Sequence, residues 1–341
     1  MFRILAIDGG GLRGIIPIQV LKLVESMTGK SIAESFDLIA GTSTGGILAC
    51  GLTVSDKTTK KLVYTLDTLE QIYLTDGKVI FPKKSKLKGW IGPKFSPEGL
   101  QATLDKYFED RYLTDCLKPI LVSAYDLHHN CTHYFSSRFI NPLSIDYDTQ
   151  KNFSLSSICR ATSAAPTYFP SYPLTILAGS ESHQKHNFID GGVFVNNPSL
   201  AAITEILNHN KDVLYNKHQS LEQRENNPIG LDDIYLLSLG TGKTLKQITE
   251  KESQGWGAVN WGRPLVDVMM QGNSLSIHQQ TGILLGDRYL RINMDIQEDI
   301  SEMDDSSEDT SKKILKETNK LIINNQSTLD RLARFIKNAR L

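Results

Sequence analysis

Asp37-Leu38-Ile39-Ala40-Gly41-Thr42-Ser43-Thr44-Gly45-Gly46-Ile47 joins a short apolar run to a glycine-flanked serine and then to a second apolar run. Asp37–Ala40 predicts a short buried strand, and Ile47–Leu52 predicts the opening of a helix. Gly41-Thr42-Ser43-Thr44-Gly45 between them matches G-x-S-x-G in the strand–turn–helix setting that gives the motif meaning. In such a turn the serine takes a strained backbone that lifts its Oγ above a sheet, at a helix N-terminus that favours developing negative charge. A glycine-rich turn with no chemical role would not need that frame.

Upstream, Phe2–Ile7 is apolar at alternate and adjacent positions, as expected of a central parallel strand covered on both faces. Asp8-Gly9-Gly10-Gly11-Leu12-Arg13-Gly14 follows at once, and Pro17 sits near the first turn of a helix running to about Met27. Further strands are predicted at Ile120–Ala124, His133–Ser136, Phe188–Asp190, Ile234–Leu239 and Tyr289–Ile292. Helices are predicted at Leu62–Leu74, Pro97–Phe108, Leu155–Ala164, Pro198–Asn208, Leu265–Gly282 and from Lys312 to near the C-terminus. Alternation of this kind implies an α/β fold of three layers, α/β/α, around a mostly parallel central sheet. Residues 1–205 read as a catalytic core, and 206–341 as the C-terminal part completing the same domain and ending in helices. Ser180–Asn187 and Tyr215–Gly230 are polar and read as surface loops; Asp295–Asp309 is acidic and reads as a flexible connection.

At 341 residues, with 40% hydrophobic and 22% charged residues, the chain is of ordinary globular composition, and a net charge of -1 gives no field for a nucleic-acid polymer. The four cysteines form no C-x-x-C pair, which argues against a zinc site or a disulfide framework. No cluster of metal-ligand spacing is visible, and no cofactor is expected. No apolar run is long enough to span a bilayer, and a strand begins at Phe2, so the expectation is a cytoplasmic protein acting peripherally at a membrane. Five lysines between Pro82 and Lys94 flank Trp90 and Ile91, a segment read as a solvated loop or an interfacial patch.

Two other motifs complete the chemistry. The glycine loop at the end of the first strand can point backbone N–H groups into a crevice, and each such oxyanion donor contributes about 3–4 kcal/mol to catalysis. Phe188-Ile189-Asp190-Gly191-Gly192 delivers a carboxylate at a strand's end, where it can accept a serine proton. Gly9-x-Gly11-x-x-Gly14 also satisfies a dinucleotide fingerprint, but the second strand ends in Gly41-Thr42-Ser43 rather than in the acid that would hold a ribose. Leu239–Thr244 fails a Walker A pattern because Leu237 stands where glycine is required. A Ser–Asp–His triad would have to recruit His209, His218 or His278, none of which sits in a glycine-flanked loop after a strand. His128-His129, His183 and His186 likewise read as loop residues.

The ordered trio D-G-G-G-x-R-G, G-T-S-T-G-G and D-G-G resembles the patatin-like phospholipases, with further likeness at Ala161–Pro166, Asn196-Asn197-Pro198 and Leu237–Gly242. The resemblance implies a patatin fold and a Ser–Asp dyad in which Ser43 attacks and Asp190 takes the proton. Gly9, Gly10 and Gly11 would form the oxyanion hole, mainly through the amides of Gly10 and Gly11, with Thr44 N–H assisting and Arg13 bracing the loop or drawing an anionic head group. It further implies a phospholipid substrate at a membrane surface, with no metal. Some bacterial members of similar size and N-terminal motif act in antiphage defence when a cyclic oligonucleotide switches them on, so such an activator is an expected partner, though no motif marks a pocket for it; a homo-oligomer is a further expected partner. The competing class is a nucleotide-binding regulatory protein built on the glycine loop.

Overall fold

The structure, a computed structural model, describes residues 1–83, 92–136, 153–178, 182–215, 229–245 and 248–341. Its strands are β1 (Phe2–Ile7), β2 (Leu38–Thr42), β3 (Ile120–Asp126), β4 (Cys131–Ser136), β5 (Tyr172–Ala178), β6 (Ser182–Asp190), β7 (Ile234–Leu239), β8 (Lys243–Thr244), β9 (Tyr289–Ile292) and β10 (Asp295–Ile296). The longer helices are α1 (Ile15–Thr28), α2 (Thr44–Thr53), α3 (Leu66–Leu74), α4 (Glu98–Phe108), α5 (Leu155–Thr162), α6 (Ser199–Tyr215), α7 (Ala258–Leu285), α8 (Glu308–Thr318) and α9 (Gln326–Ala339).

An eight-stranded sheet in the order β5-β6-β3-β2-β1-β7-β9, with β4 also on β3, forms the middle layer. Its central pairs β3–β2, β2–β1, β1–β7 and β7–β9 are parallel. The side-chain period of two divides β1 between two cores. Leu5 and Ile7 join α1, α2, α3, α4 and α5 on one face. Phe2, Ile4 and Ala6 meet Ala202, Ile203 and Ile206 of α6 on the other. That partition is the three-layer α/β/α architecture, and it explains why β1 carries apolar residues at nearly every position.

Register then aligns the strand ends. Ile7 lies opposite both Gly41 and Leu239, so the loops after β1, β2 and β7 emerge side by side along one edge of the sheet. The remaining contribution comes from the antiparallel end. β4 occupies one edge of β3 from Leu121 to Asp126. The other edge is shared: β2 pairs with Ile120–Ser123, and β6, running the opposite way, pairs with Ala124–Asp126. β2 and β6 therefore meet end to end, Thr42 opposite Ser123 and Asp190 opposite Ala124.

Four expectations change. From Ser182 onward the presumed loop Ser180–Asn187 is the first part of β6, paired with β5, which the sequence did not announce. Polar residues suit this strand because it belongs to an antiparallel hairpin rather than to the doubly covered parallel centre. His186 accordingly is no loop residue but is buried. The acidic stretch Asp295–Asp309 is ordered: β10 pairs with β8, and Leu12 N–H donates to Met303 O at 2.9 Å. Helix α7 begins at Ala258, ahead of Pro264 rather than after it, and the C-terminal helix is two helices separated by a π-turn at Asn319–Ile323. Most of Pro82–Lys94 and of Tyr215–Gly230 lies outside the described residues, as does Ser180.

One carboxylate fastens the β3–β6 junction. Asp126 Oδ1 accepts from His128 N–H at 2.9 Å and Asn187 N–H at 3.1 Å, while Oδ2 is bonded to His129 Nδ1 at 2.6 Å and His186 Nδ1 at 2.7 Å. Burial alone pushes the Asp126 carboxyl up, but these bonds outweigh it and hold it at about 2. Asp126→Ala is expected to cost about 2–4 kcal/mol of stability, measured by urea unfolding at neutral pH. Because the folded carboxyl titrates below its unfolded value of about 4, this contribution is present above that value and disappears as pH falls toward 2.

Candidate active site

Ser43 stands at φ 54° and ψ -122°, a positive φ that costs a β-substituted residue about 1–3 kcal/mol. Its neighbours make the turn possible. A Cβ at Gly41 would strike the backbone of Gly45 and Gly46, and one at Gly45 would strike the carbonyls of Ile7 and Asp8. The turn is pinned from α5: Ser43 N–H donates to Thr162 Oγ1 at 2.8 Å, and that hydroxyl donates to Ser123 O at 2.6 Å. Thr162 is fully buried. It was missed because a threonine at a helix end has no sequence signature of such a role.

The end-to-end meeting of β2 and β6 brings Asp190 to this serine. Asp190 Oδ1 accepts from Gly192 N–H at 2.7 Å, and the Ser43 side chain hydrogen-bonds the carboxyl. Burial is the dominant influence and raises the carboxyl to about 6 against those two bonds. The group is thus ionised at neutral pH yet basic enough to take a proton, the poise a general base requires. Among the described residues no histidine lines the cavity at Ser43. His278 instead pairs through Nδ1 with the Tyr289 hydroxyl at 3.1 Å; His218 lies outside the described residues, and so does the side chain of His209.

The glycine loop divides its labour. Gly9 N–H, expected beside those of Gly10 and Gly11, donates to Asn196 O at 3.2 Å. Among the described residues, neither Gly10 N–H nor Gly11 N–H bonds another backbone group, and both glycines border the cavity that holds Ser43 and Asp190. Thr241 hydroxyl donates to Gly9 O at 2.6 Å, and the space beside Gly10 and Gly11 is filled by Thr241 and Met303. Arg13 is buried and donates from Nε to Gly10 O at 3.4 Å and from Nη1 to Ser301 O at 3.2 Å, so it braces the loop instead of facing a head group. Thr44 opens α2, its hydroxyl 2.6 Å from that of Tyr73.

Beneath the loop lies a buried ion pair that sequence reading did not find. Arg291 on β9 reaches Asp8 through Nη1 at 3.1 Å and Nη2 at 2.5 Å. Ser274 of α7 donates to Asp8 Oδ2 at 2.7 Å, and Arg291 also donates to Ser238 at 2.6 Å. Burial lowers the guanidinium's pKa, and the adjacent Asp8 carboxylate more than restores it. The cavity itself is mostly apolar, with Ile47, Ile72, Phe81, Phe169 and Met270 among its walls, and Thr44, Tyr73, Ser163 and Tyr168 join Ser43 and Asp190 as its polar lining. Such a wall suits an acyl chain and an ester, not a charged or sugar-bearing ligand.

The Patatin family description, patatin-like phospholipase, matches residues 5–203. The chain belongs to the patatin-like phospholipase family. It is therefore a lipid acyl hydrolase with the patatin fold. Patatin-like protein 2 of Arabidopsis thaliana is 32% identical over 297 residues, 80% of this chain and 70% of that protein. Patatin-like protein 2 of Oryza sativa subsp. indica is 29% identical over 362 residues, 97% and 86% of the two chains. The crystal structure of VipD from Legionella pneumophila covers 100% of this chain at 12% identity and a TM-score of 0.32, too distant to add to the assignment.

Where the sequence displays no metal-ligand cluster, the fold assembles one: Asp126, His129 and His186 offer ligand atoms within 4.8 Å of one another. The hydrogen bonds already described account for that arrangement. Among the described residues, no helix is long and apolar enough to cross a membrane.

Three outcomes follow from this geometry. Arg291→Met strands the Asp8 carboxylate and is expected to cost about 3–5 kcal/mol, read by urea unfolding, with the double variant carrying Asp8→Asn recovering part of the loss. For Asp190 the sign is opposite to that of Asp126. A carboxyl raised in the folded state opposes folding once it ionises, so Asp190→Asn is expected to match or exceed the wild-type melting temperature at pH 7–8. In the wild type, kcat/KM should rise as pH passes about 6 and then level.

Proposed function

We propose that the chain hydrolyses fatty acyl esters of phospholipids or lysophospholipids through a Ser43–Asp190 dyad without a histidine. The observation that carries this reading is the junction on β3, where two strands of opposite direction end at a strained serine and at a buried carboxyl of raised pKa. Ser43 Oγ attacks the ester carbonyl carbon while its proton passes to Asp190. The carbonyl oxygen takes the negative charge among Gly10 N–H, Gly11 N–H and Thr44 N–H. Collapse breaks the bond to the glycerol oxygen, which leaves with the proton from Asp190, and Ser43 retains the acyl group. Water then gives its proton to Asp190, attacks the acyl carbon, and releases the fatty acid as Ser43 recovers its hydrogen. The apolar walls around Ile47, Phe81 and Phe169 would hold the chain during both halves.

Against defined phospholipids and lysophospholipids, Ser43→Ala and Asp190→Asn should each lower fatty-acid release about a thousandfold or more while remaining folded. His278→Ala should retain activity. Full activity in Asp190→Asn together with its loss in His278→Ala would falsify the dyad. Labelling with a fluorophosphonate separates the hydrolase from a nucleotide-binding protein on the same loop, since only an activated serine reacts. Repeating the labelling with cyclic dinucleotides and trinucleotides reads the expected switch: a faster reaction supports an oligonucleotide activator, and an unchanged rate removes it.

A further inference from the structure

Helix α7 has two faces of different character. Val266 and Met270 look into the cavity at Ser43, and Ser274, eight residues after Val266, is buried on Asp8. The opposite face carries Leu265, Val268, Met269 and Leu275 at helical spacing, with Gly272 among them, and Ile283 one turn beyond Gln279. These are exposed: Leu265 46%, Val268 48%, Leu275 51% and Ile283 84%. An apolar stripe of this length left in water marks an interaction site rather than scattered surface residues.

Its chemistry selects the occupant. Over 28 residues the helix sequence carries only Arg263 and Asp267 as charged residues. At its N-terminal end Trp256 and Trp261 meet edge to face with ring centroids 5.1 Å apart, the amphipathic residues favoured at a bilayer boundary. A wall one helix thick separates this stripe from a cavity shaped for an acyl chain. We infer that the outer face of α7 is the surface by which the enzyme lies on a bilayer, held by apolar insertion into zwitterionic lipid and not by charge. This rests on the lipid-ester reading of the Ser43 site and names the side from which its substrate arrives. The lysine-bearing segment Pro82–Lys94 is not required.

Binding is measured in Ser43→Ala protein, so that hydrolysis plays no part, by sedimentation with phosphatidylcholine vesicles. The protein should bind, and binding should persist in 0.5 M salt, on the order of 3–4 Å Debye length, because ion pairing contributes little. Adding Leu265→Ser, Val268→Ser and Leu275→Ser should lower the bound fraction about tenfold with the melting temperature retained. Ile283→Ser alone, at the far end of the stripe, should lower it less but in the same direction. Equal binding by the triple variant overturns the inference, as does binding lost in high salt. So does a lipid-free dimer that the triple variant converts to monomer, for then a second copy covers the stripe. Hydrolysis of a soluble short-chain ester by the wild type reports on the catalytic centre separately: its absence would sink the Ser43–Asp190 reading and leave the vesicle result to stand or fall alone.

Discussion

One edge of β3 accommodates two strands that run toward each other, and the chemistry depends on that constraint. β2 ends opposite Ser123 and β6 ends opposite Ala124, so the backbone ladder sets the spacing of serine and carboxylate. No long side chain has to reach across the gap. The price is a turn at positive φ, tolerated because glycines stand two residues to either side and Thr162 ties down the amide. Asp126 matters for the same reason, since it fixes β6 to β3 through His186 and Asn187, shortly before Asp190.

Electrostatics follows from position. Asp190 and Asp126 lie near each other along adjoining strands, yet one titrates near 6 and the other near 2. Burial raises both, most strongly at the deeper Asp190, and the number of donors aimed at each carboxylate adds to the difference. Asp126 receives four and serves the fold. Asp190 receives two and keeps the basicity that proton transfer needs. In the proposed dyad, which has no imidazole relay, that shortage of donors would suit the carboxylate to act as a base.

How much of this was legible in the sequence depended on whether a signal was local. Strand, turn and helix around Ser43 announce themselves because glycines, apolar runs and spacing all lie within fifteen residues. The parallel centre was legible for the same reason, its strands being apolar on both faces. β5 and the first part of β6 were not, because an antiparallel hairpin carries polar residues and its pairing is a tertiary fact. Arg291 was invisible: its partner is Asp8, 283 positions away, and an arginine on a short strand looks the same whether it meets water or a buried carboxylate. Thr162 and the His–Asp–His clasp were hidden likewise. Acidic composition misled at Asp295–Asp309, where backbone groups, not side chains, make the decisive contacts.

That last segment bears on the order in which the parts of the site come together. Leu12 and Arg13, beside the glycine loop, are held by Met303 and Ser301, and Asp8 below it by Arg291. Each of these partners lies more than 280 positions further along the chain than the residue it holds. In folding, the turn at Ser43 can form early, from residues close in sequence, before the glycine loop gains these distant supports. Bracing of the loop is therefore a matter of long-range closure, while the serine turn beside it is a product of local sequence.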